Sequence, residues 1–165
     1  MKYNIIYADP PRKYNSRANH KTRFGGGAEW HYKLMTMDEI KQIPIPDIAD
    51  DNCVLFMWCT FPYLEDQIKL FKHRWFKYKT VWFTRVKTNP KNWKPFFGVW
   101  YYAKSNAEIC LMWIKGKMKP ISNKVSSIII SPRREHSRKP DEARERITEL
   151  FWDLPRIELF ARSKT

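Results

Sequence analysis

Short apolar runs separated by polar segments mark out this chain, and the run lengths are those of strands. Residues 3–8 (YNIIYA) predict a short buried strand. Asp9-Pro10-Pro11 must end it, because proline cannot donate to a ladder. Residues 12–28 are polar around Gly25-Gly26-Gly27 and predict a loop. At 36–42 (TMDEIKQ), Thr36 followed three residues later by Glu39 is a capping box at the start of a helix. Residues 53–59 (CVLFMWC) form a second continuous apolar strand. Pro62 then opens a helix with Leu64, Ile68 and Phe71 at helical spacing. Strands follow at 79–86, 108–114 and 127–130, with a loop at 87–97. Pro140-Asp141-Glu142 starts a helix that places Ala143, Ile147, Leu150 and Phe151 on one face, and 156–161 (RIELFA) closes the chain as a strand. Buried strands alternating with helices predict an α/β sandwich with a mostly parallel sheet, in one domain over 1–165.

Composition narrows the partner. Of 165 residues, 31 are Lys or Arg and 17 Asp or Glu, a formal net charge of +14. With 43% apolar residues the chain can bury a core, so the charge does not belong to a disordered tail. Aromatic residues make up 16%, and from Phe71 to Tyr102 rings such as Trp82, Trp93, Phe96 and Phe97 alternate with bases including Lys87, Lys91 and Lys94. Cations for phosphates beside flat rings for unstacked bases favour nucleic acid over a membrane surface, although most of those rings are expected in the core. Between Gln67 and Arg134 there is one carboxylate, Glu108. It is either a structural ion pair or a site group, and both readings stand open at this point.

Other classes fall away. No run suits a signal peptide or a membrane span. Cys53, Cys59 and Cys110 make an odd number without CxxC spacing, and His20, His31, His73 and His136 make no HxxxH pair. A reduced, cytoplasmic, metal-free protein is the expectation. The scarcity of carboxylates over 67–134 argues against a two-metal nuclease, and no P-loop is present.

Asp9 stands at the carboxyl end of a strand, where open α/β sheets place their ligands. The two prolines behind it remove donors and leave acceptors, an arrangement that suits a substrate amine. An isolated D-P-P is more often a turn or cap, and position alone raises the functional reading only modestly.

Asp9-Pro10-Pro11 resembles the DPPW box of amino-group methyltransferases that act on adenine in nucleic acids. The similarity continues through His31-Tyr32-x-x-Met35-Thr36-Met37, residues 54–58 (VLFMW), 78–80 (YKT), 86–89 (VKTN) and 94–98 (KPFFG). It ends with 105–111 (SNAEICL), 132–142 (PRREHSRKPDE) and 158–162 (ELFAR). In this order, over nearly the whole chain, these segments resemble the MT-A70 family in its compact bacterial and phage form.

That resemblance implies a Rossmann-like methyltransferase, a three-layer sandwich in permuted order with the catalytic box before the cofactor segment. It implies S-adenosylmethionine as cofactor and the N6 amino group of adenine as target, in DNA more than in RNA. By resemblance the catalytic box is Asp9, Pro10, Pro11 and Arg12. Cofactor contacts fall on Asp9, His136, Ser137, Lys139, Glu158, Phe160 and Arg162, with Lys139 on the methionine carboxylate and Glu158 and Arg162 toward the ribose. Substrate contacts fall on Tyr14, Tyr32, Lys87, Asn89, Lys94 and Glu108. The chain is expected as a monomer or as half of a methyltransferase-like heterodimer.

Two features depart from the pattern. Arg12 stands where the box has an aromatic that stacks on the target base, with Tyr14 or Trp30 as stand-ins. The sequence stops at Thr165, where family members continue to a Gly-Asn pair that contacts the cofactor. Both departures point to weakened activity, and the alternative is a catalytically impaired binding or partner subunit.

Overall fold

The structure is a computed structural model, and it describes residues 1–12, 34–72, 76–98, 105–134 and 138–161. In chain order these hold β1 (Tyr3–Ala8), α1 (Met37–Lys41), α2 (Ile45–Ile48), β2 (Ala49–Cys59), α3 (Leu64–Lys72), β3 (Lys77–Thr88), β4 (Ala107–Lys115), β5 (Ile128–Pro132), α4 (Glu142–Phe151) and β6 (Arg156–Leu159). A 3-10 turn at Phe61–Tyr63 leads into α3 with Pro62 in its first positions.

The strands form one sheet in the order β5-β3-β4-β2-β1-β6. β1 pairs in parallel with β2 and β6, and β3 with β5, whereas β4 runs antiparallel to both β2 and β3. The sheet is therefore mixed: five strands share a direction and β4 is reversed between two of them. The expected mostly parallel sheet needs that amendment. Run length and apolarity gave no signal for β4's direction, since a buried strand reads the same either way.

Side-chain alternation divides two cores. Ile6 and Ala8 of β1, Leu55 and Met57 of β2, and Leu111 and Trp113 of β4 face α3, packing on Leu70 and Phe71. Ile5, Tyr7, Val54, Phe56, Trp58, Cys110 and Met112 face the other way, onto Ala143, Ile147, Leu150 and Phe151 of α4. Helices thus cover both faces, a six-stranded mixed sheet consistent with an α/β methyltransferase fold. Among the described residues no helix is long and apolar enough to cross a membrane.

Local signals were accurate where the interaction is local. Thr36 accepts from the Glu39 backbone N–H, and the Glu39 carboxylate accepts from the Thr36 N–H at 2.7 Å, which completes the capping box. The strands extend beyond their apolar runs: β2 begins at Ala49 and β3 reaches Thr88, because ladder bonds continue through polar residues at the sheet ends. β6 stops at Leu159, two residues short of the expected end, where Phe160 turns to a φ of 69°. α2, a single turn whose Ile45 and Ile48 pack on the core, is too short to stand out as a helix in the sequence.

Candidate active site

The carboxyl ends of β1, β2 and β3 lie at one edge of the sheet together with the start of the reversed β4. Asp9 follows Tyr7 in the alternation and shares its face. So do Glu108 of β4, two residues before Cys110, and Arg85 of β3, which is the direct cross-strand partner of Glu108. From the other side comes Lys139, just ahead of α4. Four groups of alternating sign meet there. Lys139 Nζ is 2.9 Å from Asp9 Oδ2 and 3.4 Å from Glu108 Oε2. Arg85 Nη1 donates to Glu108 Oε1 at 2.8 Å.

Arg85 is itself held by further bonds. Its Nε donates to Ser131 Oγ at 2.8 Å, and its two Nη atoms donate to the carbonyls of Arg138 and Pro132. These bonds tie β5 and the approach to α4 to β3, and so hold Lys139 over the edge. The Lys139 ammonium also lies 5.4 Å from the Trp58 ring centre. Trp58 is fixed in turn by its Nε1–H donating to the Tyr7 hydroxyl at 2.6 Å.

Burial and charge set the protonation balance. Burial pushes the Asp9 carboxyl above its ordinary value, and the Lys139 charge pulls in the opposite direction without cancelling it. For Glu108 burial acts the same way, but the cations Lys139, Lys87 and Arg85 together outweigh it and hold the carboxyl below its usual range. Burial works against the Lys139 charge, yet Asp9 and Glu108 keep its pKa above the normal lysine value. The Asp9 side chain is 27% exposed against 9% for Lys139. Of the buried cluster, Asp9 is the group a substrate can reach.

The remaining expected residues are distributed unevenly. Pro10 is buried, and the Pro11 carbonyl accepts from the Met35 N–H at 2.6 Å, which pins the chain behind Asp9. Arg12 turns to the α3 face. Its guanidinium donates to the Trp58 carbonyl at 3.0 Å, to Cys59 Sγ at 3.4 Å and to Gln67 Oε1, and the residue is 8% exposed. It therefore offers no open plane for a base. Lys87 lies beside the cluster, where burial lowers its pKa against the pull of Glu108. Asn89 bonds the carbonyls of Lys94 and Pro95, and Lys94 is exposed beyond them. Glu158 receives Nε and Nη2 of Arg144, each at 2.7 Å. Phe160 is exposed at the end of β6. Tyr14, Trp30, Tyr32, His136, Ser137 and Arg162 lie outside the described residues.

Arg85 and Trp58 join the cluster around Asp9 and Lys139, although neither stands out in the sequence as a candidate site residue. For Arg85 the signal was present: a lone carboxylate buried in a basic stretch needs a cation facing it across the strand pair. Among the described residues no group of three His, Cys, Asp or Glu side chains could hold a metal ion.

An accessible, acceptor-rich carboxylate held by a buried cation can receive N–H groups from a substrate amine. Comparison with known proteins gives the family. The model of the MT-A70 family matches residues 3–165. A type II methyltransferase, M.MunI from Mycoplasma sp, is 32% identical over 98% of this chain and 73% of its own length. An N(6)-adenosine-methyltransferase MT-A70-like protein of Arabidopsis thaliana is 26% identical over 97% of the chain. A putative N(6)-adenosine-methyltransferase MT-A70-like protein of Medicago truncatula is 30% identical over 98%. The chain spans only 22% and 24% of the two plant proteins.

Proposed function

The chain belongs to the MT-A70 family of adenine-N6 methyltransferases, and from that premise we propose that it methylates the N6 amino group of adenine in nucleic acid, DNA in preference to RNA. S-adenosylmethionine is the methyl donor in this reading, and residues 1–165 act as one catalytic domain. The observation that carries it is Asp9, a partly exposed carboxylate braced by Lys139 at the carboxyl edge of the sheet. The DNA preference is supported by the type II methyltransferase, which the chain matches over most of that protein's length.

The donor set fits the cofactor. Lys139 has three N–H donors and directs two at Asp9 and Glu108, so one is left for a carboxylate. The Glu158 oxygens keep lone pairs beyond their bonds to Arg144, enough for a ribose hydroxyl. Thr60 Oγ1 and Thr88 Oγ1, at the carboxyl ends of β2 and β3, are buried hydroxyls without partners, which marks this edge as built for further polar contacts. Asp9, Lys139, Glu158 and Phe160 would hold the cofactor, with His136, Ser137 and Arg162. When bound, S-adenosylmethionine supplies a methyl group already activated on a sulfonium. The order of parts supports a permuted arrangement: the box follows the first strand, while Glu158 and Phe160 sit on and after the last strand, which lies directly beside it.

The adenine amino lone pair is delocalised into the ring, so the nitrogen is a poor nucleophile. Asp9 and the Pro10 carbonyl accept its two N–H bonds and return the lone pair to nitrogen. The positive charge that develops there meets fixed acceptors, an interaction stronger in the transition state than in the ground state. Burial raises the proton affinity of Asp9, which suits it to take the proton the methylated amine releases. Glu108 and Arg85 keep Lys139, and through it Asp9, in place. The base contacts fall on Tyr14, Tyr32, Lys87, Asn89 and Lys94.

Transfer of radiolabelled methyl groups to single- and double-stranded DNA and RNA tests the reading. Label is expected as N6-methyladenine and lost in Asp9→Ala. An Asp9→Ala variant as active as wild type refutes the mechanism. One observation favours a second reading, an impaired binding or partner subunit: the Arg12 guanidinium is packed against Trp58 and Gln67 where the family box has a stacking ring. A folded protein that binds nucleic acid and transfers no label supports that alternative.

A further inference from the structure

After Thr88 the chain makes a tight excursion and returns to β3 within seven residues. Asn89 N–H donates to the Lys94 carbonyl at 2.9 Å, Trp93 N–H to the Asn89 carbonyl at 2.9 Å, and Phe96 N–H to the Lys87 carbonyl at 2.8 Å. Asn92 Oδ1 accepts from the Lys94 N–H at 3.1 Å, and the Arg133 guanidinium stacks 3.7 Å from the Phe96 ring centre. These contacts fix the loop in advance of any ligand. At its turn stands Trp93, with a φ of 56° and 61% of its surface exposed.

Both properties are unfavourable in isolation. The left-handed region suits glycine or asparagine, and a bulky ring there is uncommon. Exposing the indole to water adds a hydration penalty. Strain and exposure concentrated at one side chain on an otherwise well-bonded loop point to a use for that side chain. The surroundings indicate which use. Lys91 and Lys94 flank the ring and are exposed, Phe97 is 60% exposed three residues beyond Lys94, and no carboxylate lies between Asn89 and Gly98. The loop leaves β3 two residues after Lys87, so it rises from the Asp9 edge.

A second tryptophan supplies the contrast. Trp152 has a φ of 58° and is 71% exposed, but it terminates α4, where a positive φ ends the helix. Its neighbour is Asp153, and its carbonyl accepts from Arg156. Trp152 ends a helix, and the cation beside it, Arg156, is paired with Asp153. Trp93 closes the single turn 89–93 through the same bond to the carbonyl four residues back, and what sets it apart is its place between two exposed lysines on a loop without carboxylates.

We propose that Trp93 is a preformed stacking platform for a base of the nucleic-acid substrate, with Lys91 and Lys94 holding the adjacent phosphates. This rests on the reading of the chain as a nucleic-acid methyltransferase and adds a recognition residue to it. Stacking is short-ranged and releases no counterions, whereas each lysine–phosphate contact does, so the two parts have different signatures in salt.

The test is fluorescence anisotropy of labelled adenine-containing oligonucleotides, single-stranded and duplex, with the full chain across a salt series and without cofactor. Trp93→Ala should weaken binding about 5- to 150-fold, with the slope of log affinity against log salt unchanged and most affinity restored by Trp93→Phe. Lys91→Gln with Lys94→Gln should reduce that slope by about 1.4–1.8. Trp152→Ala should bind as wild type does, and Trp93→Gly, free of backbone strain, should melt no lower than Trp93→Ala. Equal binding by Trp93→Ala and wild type overturns the proposal. So does a Trp93→Ala loss that carries the salt slope with it, since that reports a collapsed loop. Methyl transfer that continues in Trp93→Ala with an unchanged KM removes this proposal and leaves the enzyme standing. Trp93-dependent binding without methyl transfer does the reverse.

Discussion

Replacing Lys139 with methionine keeps an unbranched chain one atom shorter and removes the cation shared by Asp9 and Glu108. The ammonium lies 2.9 Å from one carboxylate and 3.4 Å from the other, so once it is gone the two anions face each other across no more than about 6 Å. At an effective dielectric of about 20, unit charges at that distance repel by about 3 kcal/mol. Removing one partner of a buried ion pair costs about 3–5 kcal/mol. Asp9 is 27% exposed and Glu108 retains Arg85, which places the expected loss near the lower end, about 3 kcal/mol at pH 8. The pH dependence is the sharper part. The folded Asp9 carboxyl already lies above its unfolded value, so folding stability falls as pH rises through that window, and without Lys139 the fall steepens. Glu108 is held below its unfolded value, a contribution present above that value and lost on acidification, and the variant loses part of it. The Lys139 pKa is raised, so its own stabilisation is fully present across pH 5–8 in the wild type. The Lys139→Met penalty should therefore be smaller at pH 5 than at pH 8, because protonation of Asp9 removes one of the two facing anions. Urea unfolding at both values measures it, and adding Asp9→Asn should restore at least about 1 kcal/mol. A penalty that is flat with pH, below about 0.5 kcal/mol, or indifferent to Asp9→Asn would refute the charge-chain account.

Arg12→Leu should destabilise the fold by about 2–4 kcal/mol in urea unfolding, because it leaves the Trp58 carbonyl and Gln67 buried without their donor. Gly116→Ala should cost about 2–4 kcal/mol: its φ is +67° and an added Cβ would lie 2.1 Å from the Asp51 carbonyl oxygen; an unchanged melting temperature contradicts that. Burial pushes the Cys53 thiol up to about 12 and raises those of Cys59 and Cys110, so Ellman's reagent at pH 8 should label none of the three until the protein is unfolded. Arg144→Met should destabilise by about 1–3 kcal/mol through loss of the paired bonds from α4 to Glu158 of β6, and faster amide exchange in β6 is the matching observable.

What was legible in the sequence is what depends on near neighbours. The capping box at Thr36 and Glu39 needs three residues, and the apolar runs of β1, β2 and β4 need only themselves. The site is a long-range object. Lys139 meets Asp9 across 130 positions, and Arg85 meets Glu108 across 23. No local pattern encodes those distances, and only the register of β3 on β4 and the return of the chain ahead of α4 bring the four charges together. Arg12 shows the same limit from the other side. Its place beside Asp9 in sequence suggested a shared pocket, but Pro10 and Pro11 carry the chain past the strand and Arg12 turns to the α3 face. A hint was available in Gln67, a polar residue between Leu64 and Phe71 on the apolar side of α3. A fully buried amide there requires a polar partner, and Arg12 supplies it.

The charge layout separates binding from chemistry. Asp9, Lys139, Glu108 and Arg85 form an alternating set that sums to zero, so the excess of +14 lies outside it. A polyanion is drawn to the surface by that excess, within about 8–10 Å at moderate salt. At the candidate edge these four charges cancel and Lys87 beside them adds one cation, so little of the surplus lies next to Asp9, where the proposed reaction would place a positive charge on an amine. Had Glu108 been absent from its basic stretch, Lys139 and Arg85 would share that edge with Asp9 as the one carboxylate of the set, and the set would carry a net positive charge. Glu108 is thus an ion-pair partner of both Arg85 and Lys139, and its charge is what brings the four-group set to zero.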